Sequence, residues 1–326
     1  MVDSVNRDIH VLRYFSSFVS VLDGKVINIT DPTMSYCPLA SHLYEGFKAV
    51  DRTNKEAIKQ EIRKAIESKI KDYGLFTPHR KLLGGDVAIA YGASEMLMFA
   101  LQKKAIEAAV VVCDGAGTVI TDNAEVVQGI GARMNSLVLT SPIRGIRDRL
   151  KELGCHVVFD NALILQEKGV EKAIKLGYRK IAVTVSGHDA DRLERIRALE
   201  NQGEITLTIL VVCTTGVSEA MVEQIQRYAD VVWSCASGDV RRKIGACALL
   251  QISKQIPVFV LTRNGIDLVA SCSGDQAVFS DMDERKQYLI SDESGGKKVK
   301  LGVRNSFLRE ETLPFLSKKS FAFENV

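Results

Sequence analysis

Short apolar runs alternate with amphipathic segments through most of the second half of the sequence, and this alternation constrains the fold more than any other feature. Each apolar run is rich in Val and Ile and ends at a turn of small or polar residues, as buried strands do. The predicted strands are residues 180–185, 206–212, 231–234 and 258–261, and the predicted helices are residues 170–176, 191–200, 218–228 and 240–253. Strict alternation of this kind predicts an α/β fold with a Rossmann-like, doubly wound parallel sheet.

The same alternation occurs earlier in the chain. Residues 87–91 and 110–113 are predicted strands, and the helix between them is expected to begin with Ser94 as its N-cap. Such a crossover connection predicts that the two strands are parallel. Val111-Val112-Cys113-Asp114-Gly115 is echoed by Val211-Val212-Cys213-Thr214-Thr215-Gly216, which suggests two similar α/β lobes.

The N-terminal region predicts a hairpin followed by a loop. Residues 11–18 and 25–30 are strand-like, and Asp23-Gly24 between them is a turn signal. The loop at 31–38 contains two prolines, which predicts irregular structure around Cys37.

A long amphipathic helix is predicted over residues 53–72. Thr53 is the expected N-cap, and Glu56 three residues later completes a capping box. Isoleucines at helical spacing form its apolar stripe, and Lys and Glu fill the other face.

With 326 residues, the chain is long enough for one large or two medium domains. The changes of pattern along it suggest four segments. They are residues 1–85 with the hairpin, loop and helix, residues 86–165 as a first α/β lobe, residues 166–272 as a second α/β lobe, and residues 273–326 as a polar appended segment or capping tail.

The charge balance argues against two classes of partner. The sequence has 43 basic and 40 acidic side chains, a net charge of +3, which gives no electrostatic reason to expect nucleic acid or membrane binding. Its start lacks a signal-peptide pattern, and no apolar stretch approaches the ~20 residues of a membrane helix. We therefore expect a cytoplasmic protein. The partner expected from its glycine and hydroxyl turns is a small anionic metabolite, and assembly into a homo-oligomer or a protein complex is left open.

Cysteines mark the ends of several predicted strands. The sequence has seven, an odd number, which argues against a disulfide framework. Cys113, Cys213 and Cys235 end strands, where parallel sheets bind ligands, and Cys37 could reach the same edge from its loop. A following helix start favours thiolate over thiol. Converging thiolates would suit an iron–sulfur cluster or another soft metal. The alternative is that these cysteines pack as small apolar side chains, since no C-x-x-C pair is present.

Glycine and hydroxyl residues follow the same strands. Their backbone N–H groups could cradle a phosphate, although the spacing does not match a dinucleotide fingerprint and a tight structural turn is the alternative. The predicted cofactor- or substrate-binding residues are Gly115, Gly117, Thr118, Thr214, Thr215, Gly216, Ser237 and Gly238.

Two residues at these turns are candidate catalytic groups. Asp114 could orient a substrate or a metal-bound water, and His188 follows a predicted strand and could act as an acid or base. The alternatives are a local turn cap and an exposed turn histidine. The sequence contains no Gly-x-Ser-x-Gly or His-Glu-x-x-His motif, which disfavours those hydrolase classes.

Six strings of residues at the turns carry a family resemblance. They are Tyr36-Cys37-Pro38-Leu39, Gly92-Ala93-Ser94-Glu95, Val112-Cys113-Asp114-Gly115-Ala116-Gly117-Thr118-Val119, Val127-Gln128-Gly129-Ile130-Gly131, Thr214-Thr215-Gly216-Val217-Ser218 and Cys235-Ala236-Ser237. Together they resemble the methanogenesis marker protein 8 family over residues 20–265. The resemblance implies an anaerobic setting and a role in metallocofactor maturation, and it supplies no catalytic residues. It favours histidine at the position of Cys213, which leaves Cys37, Cys113 and Cys235 as the stronger trio of predicted ligands.

Three functions follow from these features. The first is an enzyme or maturation factor with an iron–sulfur cluster or soft metal on Cys37, Cys113 and Cys235 and a small anionic substrate on the glycine turns. The second is a metal-free enzyme that binds a nucleotide or phosphorylated metabolite at residues 115–118 and 214–216. The third is a non-catalytic assembly or scaffold protein whose sheet edge is covered by a partner chain.

Overall fold

A computed structural model describes residues 7–87, 91–134 and 136–316. The strands are β1 (Ile9–Tyr14), β2 (Ser17–Leu22), β3 (Lys25–Ile29), β4 (Ala108–Cys113), β5 (Gly117–Thr121), β6 (Ser136–Thr140), β7 (His156–Val157), β8 (Lys180–Ser186), β9 (Thr206–Val212), β10 (Val231–Trp233), β11 (Leu250–Ile252), β12 (Val258–Val260), β13 (Tyr288–Ser291), β14 (Lys297–Leu301) and β15 (Arg304–Glu310). The α-helices are α1 (Pro38–Leu43), α2 (Glu45–Ala49), α3 (Lys55–Tyr73), α4 (Ala93–Gln102), α5 (Ala124–Gly131), α6 (Arg144–Glu152), α7 (Gln166–Lys175), α8 (Leu193–Ala198), α9 (Glu219–Tyr228), α10 (Gly245–Cys247), α11 (Arg263–Ser271) and α12 (Ala277–Ser280).

The strands form two sheets. The smaller has the order β3-β2-β1-β6 and is antiparallel throughout. The larger has the order β14-β15-β13-β11-β12-β10-β9-β8-β4-β5-β7. Its parallel pairs are β4 with β8, β8 with β9, β9 with β10, and β11 with β13, and its other six pairs are antiparallel.

The mixed α/β class is therefore confirmed, but the predicted doubly wound parallel sheet is not, because most neighbouring strands are antiparallel. The reason lies in the connections. The turn between β4 and β5 is only three residues long, too short for the crossover that a parallel pair needs. The large sheet also runs through both predicted lobes; the segment boundaries themselves stay a prediction.

Strand direction brings many strand ends to one edge of the large sheet. The parallel strands β4, β8, β9 and β10 point the same way, and so do β11 and β13, because β12 is antiparallel to both β10 and β11. Their carboxyl ends therefore share an edge, which also receives the first residues of β12 and β15. We call this edge the carboxyl edge.

The N-terminal hairpin prediction is partly right. Asp23-Gly24 does form the turn between β2 and β3. Residues 11–18 are not one strand, however, because Phe15 and Ser16 have φ of 53° and 62° and form a second tight turn. The result is three antiparallel strands, which α3 covers.

Helix caps differ from the sequence-based predictions at three places. Asn54, not Thr53, caps α3, because its side chain accepts the N–H groups of Glu56 and Ala57. Cys37 ends the irregular loop as predicted, but its sulfur also accepts the Ala40 N–H at 3.5 Å, so it caps a short helix that the sequence does not predict. Proline is tolerated at the first helical position, which is why Pro38 does not break α1.

The third difference concerns Ser94. It lies inside the first turn of α4, for which Gly92 is the N-cap. Residues 88–90 of the predicted strand at 87–91 lie outside the described residues.

The C-terminal predictions are wrong in two respects. Residues 240–253 do not form one helix: a short π-helical turn and α10 end at Cys247, and β11 follows. Residues 274–316 are not an appended tail, because β13 pairs with β11 and carries β15 and β14 into the large sheet. Among the helices that the structure describes, none is both long and apolar enough to cross a membrane.

Candidate functional site

A cleft of about 620 Å³ lies along the carboxyl edge. One residue from each strand end marks its floor: Val112, Ser186, Cys213, Trp233, Ile252 and Ser291. From β4 to β13 the floor crosses six strand spacings of about 4.8 Å, so the cleft is about 29 Å long. Its opposite wall includes the first turn of α4 and the end of α1.

Two cysteines on this floor have strained backbones. Cys213 and Cys235 have φ of 58° and 47°, the left-handed region that costs a non-glycine residue about 1–3 kcal/mol. Both follow neighbouring parallel strands, β9 and β10, and both line the cleft. Strain of this kind is retained where surrounding structure enforces it, and it is concentrated at functional sites.

Cys37 joins these two cysteines through α1. Burial, together with the proximity of Cys235, raises the pKa of Cys37 to about 11 and that of Cys213 to about 12. Burial also raises the pKa of Cys235, whereas hydrogen bonds from Thr214 and from the Cys213 N–H lower it. The three side chains are therefore neutral thiols at pH 7, and we call them the thiol cluster.

Cationic side chains surround the thiol cluster. Lys69 on α3 is only 6% exposed, and burial, followed by the charge of Arg133, lowers its pKa to about 7. Arg13 interacts electrostatically with Cys213, and the charge of Arg241 lowers the pKa of Cys235. The sequence pattern predicts that the lysines of α3 lie on its polar face, and Lys69 is an exception. The overlooked signal is that Lys69 follows Ile62 and Ile66 at helical spacing, so it falls on the apolar stripe.

Cys113 lies apart from this cluster. Burial, followed by the charge of Asp114 and the proximity of Cys155, raises the pKa of its thiol. Arg80 and Arg149 act in the opposite direction. The structure therefore brings together Cys37, Cys213 and Cys235, and it places Cys113 in a different, buried environment.

Asp114 forms a buried ion pair. Its carboxylate is fully buried and accepts the Arg80 Nε–H at 2.9 Å and the Phe76 N–H at 2.6 Å. The Arg80 guanidinium donates further to the carbonyl oxygens of Gly129 and Ile130. These contacts link three segments of chain and leave Asp114 no access to the cleft.

His188 is held between two partners. Arg13 Nη1 lies 2.6 Å from both its Nδ1 and its Nε2, and its Nε2 also lies 3.0 Å from the Thr215 carbonyl oxygen. Burial, followed by the charge of Arg13, lowers its pKa, so the ring is neutral. Both ring nitrogens are thus occupied, and it is the neighbouring Asp189 that lines the cleft.

The glycine turn after β4 is buried under the rest of the chain. The Gly115 N–H donates to Thr140 Oγ1 at 2.8 Å, and the Thr118 N–H and hydroxyl both donate to the Leu163 carbonyl oxygen at 3.1 Å. At Gly117 an added Cβ would lie 2.2 Å from the Ala162 oxygen. This turn has no room for a phosphate.

The turns after β9 and β10 brace each other behind the cleft. The Thr214 hydroxyl donates to the Trp233 carbonyl oxygen at 2.7 Å, and Thr215 Oγ1 accepts the Ala236 N–H at 3.2 Å. Ser237 Oγ accepts the Val240 N–H at 3.3 Å. An added Cβ on Gly238 would meet the Arg242 guanidinium, whereas Gly216 has open space around it. These contacts hold Cys213 and Cys235 side by side.

The thiol cluster does not form a metal site as it stands. Within residues 7–87, 91–134 and 136–316, no group of three or more His, Cys, Asp or Glu side chains is placed to hold a metal ion.

Comparison with known proteins shows one family. Residues 10–272 match the family described as "Uncharacterized protein conserved in archaea (DUF2099)". A relative, "Uncharacterized protein MJ0054" of Methanocaldococcus jannaschii, is 39% identical over 271 residues, which cover 82% of this chain and 92% of the relative. No solved structure matches. Neither match carries the methanogenesis-marker name, so that finer assignment stays a prediction.

Proposed function

The chain belongs to this archaeal family of uncharacterized proteins, and we propose that it is a thiol-dependent enzyme that acts on a small anionic molecule bound in the cleft. The observation that carries the proposal is the pair of strained cysteines at the ends of β9 and β10, both on the cleft floor. Arg13, Lys69 and Arg241 interact electrostatically with the thiols, and their positive charge favours a negatively charged group bound near the thiols.

The cleft has the dimensions and chemistry of a metabolite or cofactor site. Its volume is within the ~300–1,000 Å³ that is usual for such sites. Val212, Trp233 and Ile252 give it an apolar floor, and polar residues stand at both ends. An open, partly polar cleft at this edge favours a bound small molecule over the scaffold function, in which a partner chain would cover the edge.

Two buried polar atoms on the cleft wall lack a hydrogen-bond partner among the described residues. Gln166 is 3% exposed, and its Nε2 donates to the Thr184 carbonyl oxygen at 3.2 Å while its Oε1 is unpaired. Ser291 is 4% exposed, and its hydroxyl is unpaired. Because such groups cost about 1–3 kcal/mol each, they are normally satisfied by a ligand or an ordered water.

A cleft-filling substitution tests the proposal. Met134 lines the cleft, and Met134→Trp should occupy part of it. In thermal unfolding against a panel of small carboxylates and phosphorylated metabolites, we expect a stabilising compound for the wild type. At 100 times its Kd, such a compound adds about 2.7 kcal/mol to the free energy of unfolding. Met134→Trp should lose this gain.

The control is Val303→Trp, because Val303 is 63% exposed and lies outside the cleft lining. It should respond to the compound as the wild type does. If no compound stabilises the wild type, or if Met134→Trp responds equally, the cleft is not the binding site.

A second candidate function, binding of an iron–sulfur cluster or soft metal, is favoured by the mutual proximity of the three thiols. Cys37, Cys213 and Cys235 would hold the metal, and it would supply Lewis-acid or electron-transfer chemistry at the cleft. Because the thiols are not arranged for a metal as they stand, their side chains would have to converge and lose their protons.

Anaerobic purification and reconstitution with iron and sulfide test this candidate. If the thiol cluster holds the metal, stoichiometric iron and sulfide and a broad visible absorption band should appear. Cys213→Ser should lose them, whereas Cys113→Ser should keep them because Cys113 lies in another environment. A colourless protein without stoichiometric iron, sulfide or zinc would rule out this candidate and leave the metal-free one.

A further inference from the structure

The two strained cysteines are neighbours. Val211 on β9 and Val232 on β10 are register partners, and Cys213 and Cys235 follow them by two and three residues. The two sulfurs lie near enough for Cys235 to raise the pKa of Cys213, and a disulfide joins cysteines of neighbouring segments in this way. The Cys213 N–H also hydrogen-bonds the Cys235 sulfur. Both are free cysteines in this structure.

From this geometry we propose that Cys235 and Cys213 form a redox-active dithiol, which is oxidised to an intramolecular disulfide by a low-molecular-weight disulfide bound in the cleft. The inference rests on the proposed thiol-dependent function and names its substrate class. It differs from a surface redox switch, because both cysteines lie on the floor of a cleft that can take an elongated disulfide.

Cys235 is the attacking residue. The backbone N–H groups of Thr214 and Cys213 contact its sulfur, and Arg241 lies near enough to act on its charge. Burial keeps Cys235 a neutral thiol at rest, and these groups stabilise the thiolate that attacks once its proton has left. Cys213 has fewer such groups, since Ser136 is its hydrogen-bond partner and burial holds its pKa at about 12.

The exchange balances in two steps. The Cys235 thiolate attacks one sulfur of the bound disulfide, a mixed disulfide forms, and the first small thiolate leaves. Cys213 then attacks the Cys235 sulfur, the protein disulfide forms, and the second small thiolate leaves. The two cysteine protons end on the two small thiols. The dithiol loses two electrons, and the small disulfide gains them.

Mass spectrometry with two defined disulfides tests the inference. The full-length protein should first carry Cys247→Ser, because Cys247 is exposed and would react independently. On treatment of the reduced protein with glutathione disulfide or hydroxyethyl disulfide, we expect a loss of two hydrogens. Peptide mapping should then find Cys213 joined to Cys235.

Single substitutions separate the roles of the two cysteines. Cys213→Ser should trap a mixed disulfide on Cys235, and Cys235→Ser should form adducts at least about tenfold more slowly. Cys113→Ser should behave as the parent. The peptide map of the parent protein needs no substitution at Cys213 or Cys235, so it decides the question even if one of those substitutions impairs folding. A disulfide to Cys37, or equal adduct rates at both positions, would overturn the inference.

The two proposals can fail separately. If no Cys213–Cys235 disulfide forms but a metabolite still stabilises the wild type and not Met134→Trp, the inference fails and the proposed function stands. If the disulfide forms in Met134→Trp equally fast with bulky glutathione disulfide and with the smaller hydroxyethyl disulfide, the dithiol reacts without binding its oxidant in the cleft. We expect Met134→Trp to slow the glutathione disulfide reaction more than the hydroxyethyl disulfide reaction.

Discussion

Asp114→Ala is expected to lower the free energy of unfolding by about 3 to 5 kcal/mol, because it leaves the Arg80 guanidinium buried without its counter-ion. The Phe76 N–H would lose its acceptor in the same variant. Denaturant unfolding followed by circular dichroism measures the change. This is among the largest effects that a single substitution in this chain should produce.

The matched control is Asp148→Ala. Asp148 also pairs with an arginine, Arg144, but at 3.4 Å and with both side chains more than half exposed. Exposed pairs of this kind contribute little to stability, so the control should unfold within experimental error of the wild type.

Asp114→Asn separates a structural role from a catalytic one. It keeps a side-chain oxygen for the Phe76 N–H but removes the charge beside Arg80, so it should also be clearly destabilised. A variant of normal stability that had lost activity would instead support Asp114 as a catalytic group. We expect the first result, because the carboxylate is fully buried and all its contacts are internal.

The parallel centre of the sheet could be predicted from the sequence because each of its strands is a short, separate run of Val and Ile. β9 was predicted at its observed bounds, and β8 within one residue. Such strands are buried on both faces, so their composition alone marks them. The helices between them show the apolar spacing that packing onto a sheet requires.

The antiparallel strands could not be predicted in the same way. The β4–β5 hairpin turns over Asp114-Gly115-Ala116, a string that equally resembles a phosphate-binding turn. β14 and β15 are rich in charged residues, since one face of each is exposed, so their sequences were taken for a polar tail. β14 pairs with β15 and β15 with β13, and their place in the large sheet depends on the pairing of β13 with β11, which is a contact distant in sequence.

The candidate site was predicted in outline. Strand-end cysteines at the carboxyl edge follow from the pattern, and the structure places Cys213 and Cys235 there. The partners of each thiol depend on tertiary contacts. Cys37 reaches the cluster because α1 carries it, and Cys113 lies with Arg80, a residue 33 positions earlier whose role no local motif signals. Lys69 was missed because a lysine on a helix is usually solvated.

Substitution of the glycine turn distinguishes a buried structural turn from a phosphate site. Gly117→Ala is expected to cost about 3 kcal/mol or more in the free energy of unfolding. Gly117 has φ of 69°, and its added Cβ would lie 2.2 Å from the Ala162 oxygen and 2.6 Å from the Leu163 oxygen. Both are backbone atoms, so the segment around Leu163 that receives the Thr118 hydrogen bonds would have to move.

Gly216→Ala is the matched control, because Gly216 has a similar φ of 77° but nothing within 4 Å of the added Cβ. It should cost only the left-handed strain of about 1 kcal/mol. The two glycines therefore share their backbone strain and differ in the close approach of another chain segment. If both variants lost about the same stability, and Gly117→Ala alone lost stabilisation by inorganic phosphate, the turn after β4 would be an anion site. A large difference in unfolding free energy, with no phosphate effect, would establish that the Asp-Gly-Ala-Gly turn packs the fold and leaves ligand binding to the cleft.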